Sequence, residues 1–105
     1  MQVFSAEEDY DDMKFMGEIS YSSEENPKEL TMEKSVEYVK SKLGKNIKKV
    51  DSNYINNVGV SVVTYELKGK TYKVRYQHPY KTDEDGNTSN EYDKSKSAGI
   101  CIYEK

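Results

Sequence analysis

Tryptophan is absent from the 105 residues, and cysteine, histidine and arginine occur once each, as Cys101, His78 and Arg75. A single cysteine excludes an internal disulfide, and one cysteine with one histidine excludes a Cys/His zinc cluster built within the chain. No apolar run reaches the roughly 18 residues that a membrane-spanning helix needs. The opening Met1-Gln2-Val3-Phe4-Ser5-Ala6-Glu7 has neither the basic end nor the apolar stretch of a secretion signal, so the expected location is the cytoplasm. Leucine, isoleucine, valine and phenylalanine together number only 19. That supply borders on disordered composition, but the net charge of −3 is too small for that class. Ten tyrosines make up more than a quarter of the apolar inventory. The expectation is one small domain that buries roughly 60–70% of its unfolded surface.

Charge is plentiful and segregated. Residues 1–33 carry ten acids and two lysines, residues 34–81 eleven bases and three acids, and residues 82–105 six acids and three lysines. The three blocks total −8, +8 and −3, an asymmetry that marks an interaction surface unless the blocks neutralise one another after folding. Fifteen of the sixteen bases are lysine, whose compact charge lacks the flat fork used for bidentate recognition. This composition suits solubility better than specific readout of bases.

Met32, Val36, Val39 and Leu43 recur at steps of four, three and four, which predicts a helix over 31–43. Thr31 is placed to act as N-cap, Glu33 suits the positive end of the helix dipole, Lys40 and Lys42 suit the negative end, and Gly44 follows as a left-handed stop. Beyond it, β-branched and tyrosyl residues predict strands over 47–54, 58–67 and 70–77, with Lys68-Gly69 as a tight hairpin turn. A two-residue or a three-residue loop there decides whether Val60/Val62 or Val63/Tyr65/Leu67 shares a face with Tyr72. In either register Tyr72, Val74 and Tyr76 point one way and Thr71, Lys73 and Arg75 the other, giving an apolar side and a basic, wet side. Residues 13–21 read as a first strand and 98–104 as a last, with Ile100 and Ile102 on one face and Cys101 and Tyr103 on the other. Residues 1–12 read as a mobile acidic arm. Residues 79–97 show neither helical nor alternating periodicity and read as a long polar loop.

The fold class is therefore α+β: one helix on a four- to five-stranded, mostly antiparallel sheet in the order β-α-β-β-β-β. This order is similar to the cystatin-like roll, an architectural resemblance that covers the chain from Met13 onward. The cystatin inhibitory signature Gln-x-Val-x-Gly is not in the chain, the nearest stretch being Asn56-Asn57-Val58-Gly59. The resemblance thus implies a shape and no activity.

Catalytic and metal chemistry find little support. Cys101 lies in an alternating strand and reads as half-buried packing, and His78, ahead of Pro79, reads as a surface group at a strand end. No Gly-x-Ser-x-Gly motif accompanies them. The Asp-x-Asp-Gly fragment at 83–86 lacks the spacing of a calcium loop and is better explained as a turn, and no glycine-rich phosphate cradle occurs. No enzyme activity, cofactor or metal is expected.

Two binding readings remain. The first is a non-catalytic protein that docks on another protein through acidic and tyrosyl residues: Glu7, Glu8, Asp9, Tyr10, Asp11, Asp12, Tyr21, Tyr80 and Tyr92. Frequent Asn, Ile, Tyr and Lys suggest an AT-rich bacterial or phage genome, and an acidic surface that mimics phosphate suggests an inhibitor of a host defence or nucleic-acid-processing protein. The alternative is nucleic-acid binding through Lys45, Lys48, Lys49, Lys68, Lys70, Lys73 and Arg75 on the basic sheet face. Pairing of a second copy along the strand edge at 98–103 would give a homodimer.

Overall fold

The computed structural model describes residues 12–20 and 30–105. Residues Glu7, Glu8, Asp9, Tyr10, Asp11 and Tyr21 of the first binding reading lie outside them, as does most of the segment read as an acidic arm. Asp12 is described and exposed.

The chain forms β1 (Lys14–Ser20), β2 (Leu30–Thr31), α1 (Met32–Leu43), β3 (Lys48–Ile55), β4 (Val60–Leu67), β5 (Lys70–Gln77), β6 (Tyr80–Thr82), β7 (Thr88–Tyr92), β8 (Lys96–Ser97) and β9 (Gly99–Glu104). Five of the strands make one sheet in the order β1-β9-β5-β4-β3, and every neighbouring pair is antiparallel. Two small ribbons, β2 with β8 and β6 with β7, complete the structure. The architecture is α+β with one helix on a five-stranded antiparallel sheet.

The helix forms where its stripe and caps predict. Thr31 Oγ1 accepts from Lys34 N at 3.2 Å, and Ser35, four residues on, donates its hydroxyl back to Thr31 O at 2.9 Å. The C-terminal stop differs in detail: Gly44 has φ 137 and ψ 151 rather than a left-handed helical conformation, although its N–H still closes on Lys40 O at 2.8 Å. The buried side of α1 centres on Ser35 and Val39, with Met32, Val36, Tyr38 and Leu43 half-buried around them. Against Val39 lie Val63, Tyr65, Tyr72, Val74, Tyr76, Ile100 and Ile102, the apolar face of β4, β5 and β9.

The hairpin register follows from its turn. Leu67 pairs with Lys70, leaving Lys68 and Gly69 as a two-residue loop with φ 51 and 81, the primed geometry whose twist matches the strands. Val63 therefore opposes Val74 and Tyr65 opposes Tyr72, so the set Val63/Tyr65/Leu67 faces the helix. Tyr65 and Tyr76 bury their rings here and share a 2.9 Å hydrogen bond between hydroxyls, which supplies each polar tip with a partner inside the core.

Four expectations are corrected. The strand at 98–103 offers no edge to a second copy, because β9 pairs with β1 on one side and with β5 on the other. The reverse side of the sheet is not an open basic surface: Lys73 and Arg75 are half-buried, and their cross-strand neighbours Thr64 and Val62 are buried. Lys73 Nζ donates to Thr64 Oγ1 at 2.8 Å, so the lysine stem lies along the sheet instead of standing in water. Residues 79–97 are not a loop, because they hold the β6–β7 hairpin and the short strand β8. His78 is not a surface group, being only 2% exposed.

Candidate functional site

Pro79 turns the chain out of β5 and into β6, and the hairpin that follows stands off the end of the sheet remote from the Lys68-Gly69 turn. Every residue from Tyr80 to Glu91 is exposed, so burial of an apolar face cannot be what orders it. Side chains and turn chemistry do so instead. Asp83 Oδ1 accepts from the backbone N–H groups of Asp85 and Asn87, each at 2.9 Å, while Gly86 takes the positive φ of 86 that the tip requires. Asp83 N also donates to Asn87 O at 2.9 Å.

At the root of the hairpin Tyr80 pairs with Tyr92, and their rings stack at 4.7 Å between centroids with 16° between planes. The inner ring, Tyr92, lies against the backbone of Gly59. A Cβ there would stand 2.2 Å from Tyr92 Cδ1, and Gly59 has φ 64, so a glycine is required both by the contact and by the backbone. Tyr80 is 48% exposed. Tyr92 Oη donates to Tyr80 Oη at 3.4 Å, and this bond, with partial burial and the nearby Tyr80 and Tyr54 hydroxyls, raises the Tyr92 phenol above its ordinary value.

A third tyrosine joins from the end of β3. Tyr54 carries Lys94 Nζ over its ring at 4.0 Å from the centroid, a cation–π contact. Tyr54, Tyr80 and Tyr92, with Asn56, Asn57, Lys81, Asn90, Glu91 and Lys94, line a cleft of about 650 Å³. Lys81 and Glu91 face each other across the hairpin at 3.6 Å, both well exposed, an ion pair that contributes little to stability.

A polar pair, buried His78 with half-buried Ser61, lies beside Tyr54 of the cleft. His78 Nδ1 lies 2.7 Å from Lys96 O, and because a carbonyl only accepts, that nitrogen carries the proton. Nε2 is then the acceptor for Ser61 Oγ–H at 2.6 Å. The His78 ring lies 6.0 Å from that of Tyr54, and His78 N donates to Gly59 O at 2.8 Å. This is a distance found between nucleophile and base, yet His78 is sealed from solvent and neither residue lines the cleft. The pair ties β4, β5 and β8 together. Asp93 does similar work: Ser95 donates to its carboxylate from both side chain and backbone, which holds Asp93 below the usual carboxylate range. Ser95 O in turn accepts from Met32 N at 3.0 Å, fastening the helix start to this end of the molecule.

Of the expected protein-binding residues, the structure brings Tyr80 and Tyr92 into contact and adds Tyr54, Asn56, Asn57, Asn90, Glu91, Lys81 and Lys94, which composition did not single out. One signal was available: Tyr80 and Tyr92 stand six residues either side of Gly86, the symmetry of a hairpin. Of the basic residues, Lys45, Lys48, Lys49, Lys68 and Lys70 gather at the opposite end of the sheet, while Lys73 and Arg75 sit further along its reverse face. Cys101 is half-buried as expected, with burial and then the Glu18 charge pushing its thiol up, away from a reactive thiolate. Among the described residues, no group of three or more His, Cys, Asp and Glu side chains is placed to hold a metal ion, and no helix is long and apolar enough to cross a membrane. No family model matches the chain, and neither does any curated protein or solved structure.

Proposed function

We propose that the chain is a non-catalytic macromolecule-binding protein that docks on another protein in the cytoplasm through the tyrosine cleft. The observation that carries this reading is the Tyr80–Tyr92 stack beside Tyr54, held at the root of a hairpin exposed from Tyr80 to Glu91. Tyrosine offers large rigid contact area at small ordering cost, and the surrounding Asn, Ser and Thr side chains supply adaptable hydrogen bonds, the mixture that recognition loops use. Beyond the cleft, Asp83, Glu84 and Asp85 present three exposed carboxylates at the hairpin tip. Such a tip suits a basic groove, which favours an inhibitor of a host defence or nucleic-acid-processing protein, encoded by a phage or mobile element, over a partner of neutral surface. The roll similar to cystatins contributes the platform, and no inhibitory loop is carried over from it.

Affinity capture with the full chain, followed by mass spectrometry, identifies the partner, and titration of the purified partner then measures the site. Tyr80→Ala removes the open ring and is expected to weaken binding at least tenfold, about 1.4 kcal/mol or more. Full affinity in both Tyr80→Ala and the combined Asp83→Asn, Glu84→Gln, Asp85→Asn variant would rule the cleft and tip out as the docking surface.

A further inference from the structure

The lysines at the far end of the sheet form a second surface. Strand register places Lys14 at the start of β1, Lys70 at the start of β5 and Lys48 and Lys49 at the start of β3, with Lys68 in the β4–β5 turn. Lys45 joins them because Gly44 packs beside Leu67, where an added Cβ would stand 3.0 Å from Leu67 Cδ2. Lys105 belongs to the same end, its N–H donating to Thr71 O at 2.8 Å. All seven of these lysines are exposed. The acids beside them among the described residues are Asp12, Glu66 and Glu104, of which Glu104 is engaged by Lys70 at 3.2 Å. Seven charges against three leave this end at +4.

We infer that this end binds the phosphate backbone of a nucleic acid, independently of the tyrosine cleft. The first argument is shape. The lysines follow the ends of five adjacent strands, and at about 4.8 Å per strand they make a row roughly 19 Å long. A linear row matches a linear polyanion: at about 3.4 Å per phosphate along one strand it spans five or six nucleotides. An anionic membrane would call for a broad flat patch instead. The second argument is range. The acidic hairpin sits beyond the other end of β5, about 23 Å away at roughly 3.3 Å per residue, more than twice the screening length of about 10 Å at 0.1 M salt. The hairpin carboxylates therefore do not decide what the lysine end attracts. The third is chemistry. Lysine without arginine supplies point charges with no fork for base edges, so the contact reads charge and not sequence.

The test uses a fluorescein-labelled single strand of roughly 20 nucleotides and its duplex, titrated with the full chain at several salt concentrations. Binding in the micromolar range is expected at about 50 mM salt, with log K falling against log salt with a slope of about −3 to −4, as for four or five phosphate contacts. Lys48→Glu, Lys49→Glu and Lys68→Glu together should lower affinity at least tenfold and flatten that slope. The milder Lys48→Gln, Lys49→Gln, Lys68→Gln set should do the same in smaller measure, which guards against a misfolded reversal variant. Tyr80→Ala should bind nucleic acid as the unchanged chain does, separating this surface from the cleft. No binding to either probe at about 100 µM protein in low salt would overturn the inference. So would affinity that survives both lysine sets, or equal or tighter binding to phosphatidylserine vesicles.

Discussion

His78 shows how a single side chain organises its surroundings. Burial of an imidazole is tolerated here because both ring nitrogens are used, Nδ1 by Lys96 O and Nε2 by Ser61 Oγ. His78→Ala removes both bonds and opens a void between β4, β5 and β8, so it should cost about 3 kcal/mol in urea unfolding. Ser61→Ala leaves the ring in place with one unpaired nitrogen and should cost about 1–2 kcal/mol. Equal stability of His78→Ala and the unchanged chain would show that the pair does not hold the three strands together. The residue was misread from sequence for a physical reason. Pro79 correctly marks a strand end, and strand ends are usually wet, but the carbonyl that buries His78 comes from Lys96, 18 residues further on. That Ile100 and Ile102 share one face was legible, by contrast, because alternation within one strand is a local signal, and the structure makes that face the core.

Elements with an apolar stripe or a run of β-branched and tyrosyl residues were readable, whereas the β6–β7 hairpin and the two-residue strand β8, which have neither, were not. The helix had its stripe and caps, and β5 matches its expected bounds residue for residue. The β4–β5 register stayed open because Val60, Val62, Val63 and Tyr65 are all apolar and all buried, so alternation gives no answer there. Lys68 at φ 51 settles it. The β6–β7 hairpin is exposed from Tyr80 to Glu91 with Tyr92 alone half-buried, and a strand with one such residue leaves no period-two trace in the sequence. The Tyr65–Tyr76 pair makes an element-level prediction. Burial raises both phenols above the ordinary value of 10.0, although for Tyr65 the bond to Tyr76 works the other way. A folded pKa above the unfolded one gives stability that is complete below the unfolded value and is lost as pH rises beyond it. The urea midpoint should therefore carry this pair's full, pH-independent contribution below about pH 9 and a falling one above about pH 10. In Tyr65→Phe with Tyr76→Phe that alkaline fall should be shallower, measured against the unchanged chain at matched pH. Parallel pH profiles would mean that these two hydroxyls are not what alkali attacks.

For the molecule as a whole, charge is divided along the strand direction rather than across the sheet. The +8 block of residues 34–81 was legible in sequence, but its projection was not: strand register sends Lys45, Lys48, Lys49, Lys68 and Lys70 to one end, while Lys73 and Arg75 are half-buried on the reverse face. The chain enters the sheet at Lys14, so residues 1–11, with Glu7, Glu8, Asp9 and Asp11, are joined to the fold at the lysine end. Eleven residues span at most about 40 Å, so the prediction is that these four carboxylates, tethered at Lys14, compete with phosphate for the ammonium groups of the lysine row. Changing Glu7 and Glu8 to Gln and Asp9 and Asp11 to Asn should thus tighten nucleic-acid binding several-fold at about 50 mM salt. The gain should vanish by about 0.5 M, where screening shortens to about 4 Å. Fluorescence anisotropy with the same labelled strands measures both limits. A gain that persists at high salt would point to a steric rather than an electrostatic effect of the segment, and no gain at low salt would mean that these acids do not compete for the lysine row.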